Sequence, residues 1–413
     1  MNARAWGRAE HILCVRLDAL GDVLMTGPAI RALKCSGAGR RISLLTSPAG
    51  AAIAPHLQAV DDVVVYQAPW MKATPPRTDA RADRELIERL RSGGYDAAVI
   101  FTVYSQNPLP AAHLCYLADI PLRLAHCREN PYHLLSDWVP ERDPQHGVRH
   151  EVRRQLDLVA QIGAMPDDTH LRLRLPAHSF TQAQQLLAAR KINSQAPWVV
   201  IHPGASAPSR RYDAARFATA ARQLVQQHGC SVVFTGSQDE AALIARIQRL
   251  MRAPSHSLAG ELDVATLSAL IGLAPVLIAN NTGPVHIAAA MGTPVVDLYA
   301  LTNPQHTPWG VEHRVLNRDV PCKHCYKSVC ATGRHECLHV PPEEVVSAAL
   351  ELLAFSKHAF KPLSPYGREM GEREVIHPSP YPAVQGCTNV AGAGCAGATS
   401  PARGEGTLSQ ASG

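Results

Sequence analysis

One pattern constrains this chain more than any other, and it runs its course twice. Apolar runs of four to seven residues alternate with stretches whose apolar residues recur three and four apart. The first series opens with the run 11–17 (His-Ile-Leu-Cys-Val-Arg-Leu), followed by a helical stretch over about 21–34. Further strand-length runs lie at 42–46, 63–66 and 97–102. Helical stripes between and after them include Leu86 with Leu90, and Val152, Leu156 and Val159. The alternation restarts near Trp198. Strands are expected at 199–202, 231–235, 276–279 and, last, 294–299. Helices are expected at 213–228, 239–250 and 284–291, with further stripes at Val264, Leu267, Ile271 and at Val345, Ala349, Leu352. Strands that alternate with helices must pair in parallel, because each helix carries the chain back across the sheet. Two such series predict two α/β domains, with the change-over between 176 and 197 and the domains taken as 1–180 and 181–360. The segment 361–413 is rich in Gly, Pro and Ser and poor in large apolar side chains. It is expected to be a disordered tail, since it has too little to bury to offset the entropy of ordering.

Composition then excludes several classes. Of 413 residues 46% are apolar, ample for a core, while Lys+Arg 40 against Asp+Glu 35 leaves only +5. With aromatics at 5% as well, neither a basic footprint nor a stacking platform for nucleic acid is present. The first apolar run is broken by Glu10, Arg16, Asp18 and Asp22, which is not the organisation of a signal peptide, so a cytoplasmic protein is expected. Between Asp263 and Asp297 there is no charged residue, but Asn280-Asn281-Thr282-Gly283-Pro284 cuts the stretch in two. Two short buried elements around a turn fit it better than a spanning helix.

Ligands of open parallel sheets sit at the carboxyl ends of strands, which selects four loops. In Leu17–Asp22, Gly21 allows a close turn and Asp22 stands at the mouth of a helix; it is either a helix cap or a general base. In the stretch 202–212, from His202-Pro203-Gly204 through Ser206 to Arg210-Arg211-Tyr212, small residues and arginines suit an anion, although a solvated basic turn would look the same. In 235–240, Asp239 or Glu240 could bind ribose hydroxyls, or simply begin a helix. In 280–286, Asn281, Thr282, Gly283 and His286 surround a Pro-started helix whose free N–H groups would face a diphosphate; the alternative for His286 is a satisfied core histidine.

Cysteine is the odd count. There are 11, and Cys322-x2-Cys325-x4-Cys330-x6-Cys337 forms one cluster. Cys-x2-Cys can chelate one tetrahedral ion. In a reducing compartment structural zinc or an iron–sulfur site competes with free thiols, and a disulfide is disfavoured. Cys14, Cys115 and Cys230 sit in apolar surroundings and read as core.

Taken together, these loops resemble glycosyltransferase family 9, the ADP-heptose:lipopolysaccharide heptosyltransferase family, over about residues 12–353. The motifs are Arg16-Leu17-Asp18-Ala19-Leu20-Gly21-Asp22-Val23-Leu24 with Pro28-Ala29, His202-Pro203-Gly204 through Arg210-Arg211-Tyr212, and Asn281-Thr282-Gly283-Pro284-Val285-His286. The resemblance implies a GT-B fold: two Rossmann-like domains across a cleft, acceptor on the first and nucleotide sugar on the second, with the helix around 343–353 tying the two together. It implies inverting, metal-independent transfer of a sugar, heptose in this family, to a lipopolysaccharide-core or related glycan. Asp22 becomes the base. Gly21, Ser206, Arg210, Glu240, Asn281, Thr282, Gly283 and His286 become donor-binding residues, with Arg210 where the family usually has Lys. Asn281 stands where characterised heptosyltransferases tend to have Asp, and Tyr212 where Trp is common; these bear on the donor sugar. The implied partners are a nucleotide sugar and a lipid-linked saccharide, no nucleic acid. Arg4, Arg8, Arg31, Lys34, Arg40 and Arg41 could give peripheral contact with the inner membrane. Competing readings are another GT-B enzyme, such as a nucleotide-sugar epimerase or UDP-sugar transferase, and a non-catalytic metal- or nucleotide-binding protein.

Overall fold

We describe a computed structural model of the chain, covering residues 3–72 and 74–359. Twelve strands form two six-stranded sheets. In the first lobe these are β1 (His11–Arg16), β2 (Arg41–Thr46), β3 (Asp62–Val65), β4 (Ala97–Ile100), β5 (Leu122–Cys127) and β6 (Asp137–Pro140). In the second they are β7 (Trp198–His202), β8 (Ser231–Phe234), β9 (His256–Ser257), β10 (Leu277–Asn280), β11 (Val295–Leu298) and β12 (His313–Leu316). The orders are β3-β2-β1-β4-β5-β6 and β12-β11-β10-β7-β8-β9. Every pairing is parallel, for instance Val15 beside Ile100 and Ala279 beside His202. Counted within each lobe, both orders read 3-2-1-4-5-6, the doubly wound Rossmann arrangement. The central strands β1, β4, β7, β10 and β11 are buried almost end to end, because helices cover both faces of a parallel sheet.

This order fixes where a ligand can sit. It reverses between β1 and β4 in one sheet and between β7 and β10 in the other. At each reversal the following loops part and leave a crevice. The ends of β1, β7 and β10 lead into three of the four loops singled out above.

Four strands were not expected. β5 carries Arg123 and His126 in its apolar run; both are buried, with Arg123 bonded to the carbonyls of His133 and Leu134 and His126 to that of Arg154. β6 and β12 are half-covered edge strands, and β12 follows the strand expected to be last. β9 has only two residues. Besides the short Ala3–Arg8 and Pro48–Ala51 helices, two longer ones were also missed, Leu109–Leu117 and Ala177–Ala189. The second runs through position 180 and packs on the Val264–Leu273 helix. The closing helix, Pro342–Ala359, departs from expectation in its packing. Val345, Val346, Ala348, Ala349, Leu352 and Leu353 join the core of the second lobe alone. The lobes are tied elsewhere: the Leu20–Cys35 and Gly283–Met291 helices share one apolar core with residues of both sheets. No helix among the described residues is long and apolar enough to cross a membrane. The expected tail, 361–413, lies outside the described residues.

Candidate active site

The site begins with an arginine at the end of β1. Arg16 is fully buried and meets three carboxylates: Asp18 at 2.8 Å, Glu151 at 2.7 Å and Asp22 at 3.2 Å. Burial alone would lower its pKa, but Asp18, Glu151 and Asp22 outweigh it and the guanidinium stays charged. Glu151, at the first turn of the Glu151–Ala160 helix, is equally buried. Burial pushes it up, yet Arg16 and Arg154 pull its carboxyl down to about 2. The Glu151–Arg16 pair is thus the permanent ion pair of the cluster.

Asp22 occupies the third position of the Leu20–Cys35 helix, whose N-cap is Ala19 with no side-chain cap. Its carboxylate faces Arg16 and, 3.8 Å away, Nε2 of His306. Burial raises its pKa, Arg16 opposes this, Glu151 adds to it, and Arg210 opposes it again. Asp18 is pushed up to about 6, by burial first and by Asp22 against the pull of Arg16. Its two oxygens are taken by Arg16 and by Gln106, at 2.5 Å. Both aspartates line a cavity of about 770 Å³ in the first lobe, with Ser47, Trp70, Lys72 and Gln106 also on its wall.

The second lobe brings its own loops to the same place. Asn280, fully buried, accepts from the Tyr212 N–H at 3.0 Å and donates to the Pro203 carbonyl at 2.7 Å. This pins the loop after β7 to the end of β10. The loop carries Arg210, half-buried, whose charge is felt by Asp22, His286, Asp297, Tyr299 and His306. His286 is buried, and burial holds its pKa well below the usual range, with His306, His150 and Arg210 adding to the effect. It is a neutral ring, and Gly21 lies directly against it: a Cβ on Gly21 would sit 2.6 Å from His286 Cδ2. Gly21 is therefore required for close approach of the lobes. Gly21→Ala is expected to displace the ring and cost roughly 10²-fold in turnover, checked by initial rates alongside a melting curve.

Three expected donor residues stand differently. Asn281 faces inward, giving its amide to Asp297 Oδ2 and the His306 carbonyl, both at 2.8 Å. Glu240 completes a capping box with Ser237, although its Oε1 also crowds Gly204. Ser206 is exposed. Thr282 and Gly283 head the Gly283–Met291 helix, at the lobe junction, with Gly283 near Leu20.

Sequence reasoning missed Arg16 and Glu151 as a pair, Asp18, His306 and Asp297. His306 is buried, burial brings its pKa to about 4, and its Nε2 has no hydrogen-bond partner among the described residues. Asp297 lies under Asn281, and burial pushes its carboxyl up to about 8. No spacing rule marks these residues, because each has a partner that only the fold supplies: Glu151 for Arg16, Gln106 for Asp18, Asp22 for His306 and Asn281 for Asp297.

The expected metal set is less formed. Cys322, Cys325, Cys330 and Cys337 are all free thiols. The Cys337 thiol is raised by burial first and then by Cys322, Cys330 and Cys325. Among the described residues, however, no three His, Cys, Asp or Glu side chains already form a metal cage. Of the basic residues considered for lipid contact, Lys34 pairs with Asp61, Arg41 with Asp62 and Arg31 with Asp168, while Arg40 is buried on backbone carbonyls.

Comparison with known proteins decides the family. The model of glycosyltransferase family 9 (heptosyltransferase) matches residues 84–335, more than half of the chain. The chain belongs to glycosyltransferase family 9. Lipopolysaccharide heptosyltransferase 2 of Salmonella typhimurium is 27% identical over 283 residues, 66% of this chain and 79% of that protein. The crystal structure of a family 9 glycosyl transferase from Veillonella parvula superposes with a TM-score of 0.71 at 20% identity, covering 84% of this chain and 98% of the other. The Escherichia coli ADP-heptose lipopolysaccharide heptosyltransferase II gives 0.65 at 21% identity, covering 84% and 99%. The fold is that of these two-lobed transferases, and the protein is a glycosyltransferase.

Proposed function

We propose that this family 9 enzyme transfers heptose from ADP-heptose to a lipopolysaccharide-core saccharide, with inversion at the transferred carbon and Asp22 as the base. The observation that carries the reading is that the two lobes converge on Asp22: it lines the 770 Å³ cavity of the first lobe, and His306 of the second lobe brings its Nε2 to 3.8 Å from the carboxylate. The acceptor occupies that cavity and the nucleotide sugar lies on the second lobe. Asp22 takes the proton from the acceptor hydroxyl as its oxygen bonds to C1 of the sugar. The C1–oxygen bond to the diphosphate breaks, and the electron pair leaves with the diphosphate. Arg210 and the N–H groups at the start of the Gly283–Met291 helix hold the charge that develops there. His286 and Thr282 border the same space, and Glu240 reaches the ribose. Asn281 acts from beneath, fixing the turn through Asp297 and the His306 carbonyl.

No step draws on a metal ion; the cysteine cluster is assigned a structural ion. The lipid-linked acceptor brings the enzyme to the cytoplasmic face of the inner membrane, through acceptor binding rather than through Lys34 or Arg41, whose charges are paired.

Donor choice is tested by thermal shift and initial rates with ADP-heptose against UDP- and GDP-sugars. ADP-heptose alone should stabilise the protein and support transfer. Arg210→Ala should lower kcat/KM for the donor roughly 10- to 100-fold, the worth of one charged hydrogen bond. Arg210→Lys should recover part of it, since the charge returns without the planar fork. Equal rates with UDP-sugars would exclude the ADP assignment.

A further inference from the structure

Two consecutive residues of the first lobe, His150 and Glu151, hold the two groups that face Asp22. Glu151 holds Arg16. His150 holds a loop of the second lobe. It caps the Glu151–Ala160 helix, its Nδ1 accepting from the Val152 N–H at 3.2 Å. Burial keeps this ring neutral, its pKa at about 4, and a neutral imidazole carries one N–H. Nε2 is therefore the donor, and it donates to the Thr307 carbonyl at 2.9 Å. The ring also lies against Trp309, centroids 4.5 Å apart, and the Trp309 indole N–H donates to the Thr169 carbonyl at 2.8 Å. From within the second lobe, Asn281 holds the same loop through the His306 carbonyl. His306, the last residue of the short turn Pro304–His306, thus enters the first lobe on a loop anchored from both sides.

Its ring arrives with a nitrogen that has no partner. Nε2 is buried, makes no hydrogen bond among the described residues and lies 3.8 Å from Asp22 Oδ1. Buried polar nitrogens left so are uncommon, and the hydrogen bonds of a catalytic site are often long until substrate is bound. Arg16 donates to the same oxygen, Oδ1, at 3.2 Å. The charged groups acting on His306 are Glu151, Arg210, Arg16 and Asp18, and the ring in turn acts on His150 and His286. Burial nevertheless keeps it neutral. Beside a carboxylate, a neutral ring serves as a donor, with its hydrogen on the nitrogen that faces the oxygen.

We infer that His306 is the positioning residue of the base: its Nε2–H donates to Asp22 Oδ1 in the substrate complex, and His150 sets it there by holding the 304–309 loop. The inference rests on the reading of Asp22 as the base. Donation to Oδ1 from Arg16 in one lobe and His306 in the other fixes the plane of the carboxylate and leaves Oδ2 to take the acceptor proton. The base is then fully oriented only when the second lobe is docked. His306 touches no reacting atom, and no proton passes to it.

The test uses the full chain, ADP-heptose and a lipopolysaccharide-core acceptor, with steady-state kinetics across pH, melting curves, and Asp22→Asn alongside. His306→Leu should lower kcat about 10- to 100-fold, the worth of a hydrogen bond to a charged group, with donor KM retained. Arg16, Glu151, Arg210 and the Ala19 backbone still act on Asp22 in that variant. Loss of a donor to the charged form raises the carboxyl, so the acid limb of kcat/KM should move to higher pH. His306→Gln, whose amide can donate but cannot take a proton, should return kcat to within a few-fold of wild type. His150→Asn keeps a helix cap but is too short to reach Thr307; it should lower kcat about 3- to 10-fold and carries the test should His306→Leu fail to fold. Wild-type kcat and acid limb in both His306→Leu and His150→Asn, with Asp22→Asn inactive, overturn the inference. A folded His306→Gln as impaired as His306→Leu overturns it too, since the ring would then be taking a proton. An active Asp22→Asn overturns the underlying reading instead.

Discussion

Asp22→Asn should lower transfer about 10²- to 10⁴-fold, the usual worth of a positioned general base, while donor affinity stays near that of wild type. The side chain keeps its shape and loses only the ability to take a proton. Asp18→Asn should cost far less, although Asp18 lies close by and its carboxyl too is pushed up, to about 6. Both oxygens of Asp18 are engaged by Arg16 and Gln106, whereas Asp22 stands between Arg16 and the unpartnered Nε2 of His306. The pH profile gives a second check. Burial and Glu151 raise the Asp22 pKa against Arg16 and Arg210, so the acid limb of kcat/KM should lie above the ordinary aspartate value. Removing the charge of Arg210 should move it higher still. Rates with Asp22→Asn within a few-fold of wild type would remove Asp22 as the base.

The second large effect falls on stability. Glu151→Ala should destabilise the protein by about 3–5 kcal/mol, because it leaves a fully buried guanidinium short of its one fully buried carboxylate partner among the described residues. Glu151 and Arg16 are both without exposed side-chain surface, with 2.7 Å between them. The sign follows from the depressed Glu151 pKa. Its contribution is complete above the ordinary value of 4.5 and is lost as pH falls toward about 2. Wild type should therefore lose thermal stability across that acid window, and Glu151→Ala should lose less there, having less to give up. Melting curves at neutral and acid pH compare the two. Equal midpoints at neutral pH would mean that Asp18 and Asp22 alone satisfy Arg16.

Much of the fold was legible because parallel strands buried on both faces leave continuous apolar runs, and their helices leave stripes. Where a strand carries buried polar residues, as β5 does with Arg123 and His126, or lies at an edge, as β6 and β12 do, the run disappears from the sequence. The site divides in the same way. Asp22 and the turn at 281–286 stood out as polar residues at strand ends beside apolar helices. Glu151 did not, since a lone glutamate in the first turn of an amphipathic helix looks solvated until Arg16 is placed beside it. His306 followed the last strand expected and so lay outside any loop under consideration. Asn281 was found, but its side chain turns inward, a direction set by Asp297 one strand away. The lipid-facing role given to Lys34 and Arg41 weakened for a related reason: their acidic partners, Asp61 and Asp62, come from a neighbouring segment.

The most direct measurement is a transfer assay with purified full chain, ADP-heptose and a heptose-deficient lipopolysaccharide core, read by mass spectrometry of the acceptor, with Asp22→Asn in parallel. The account predicts one heptose added to the acceptor by wild type, with release of ADP, and almost none by the variant. An unmodified acceptor with wild type, or equal product from Asp22→Asn, would contradict it.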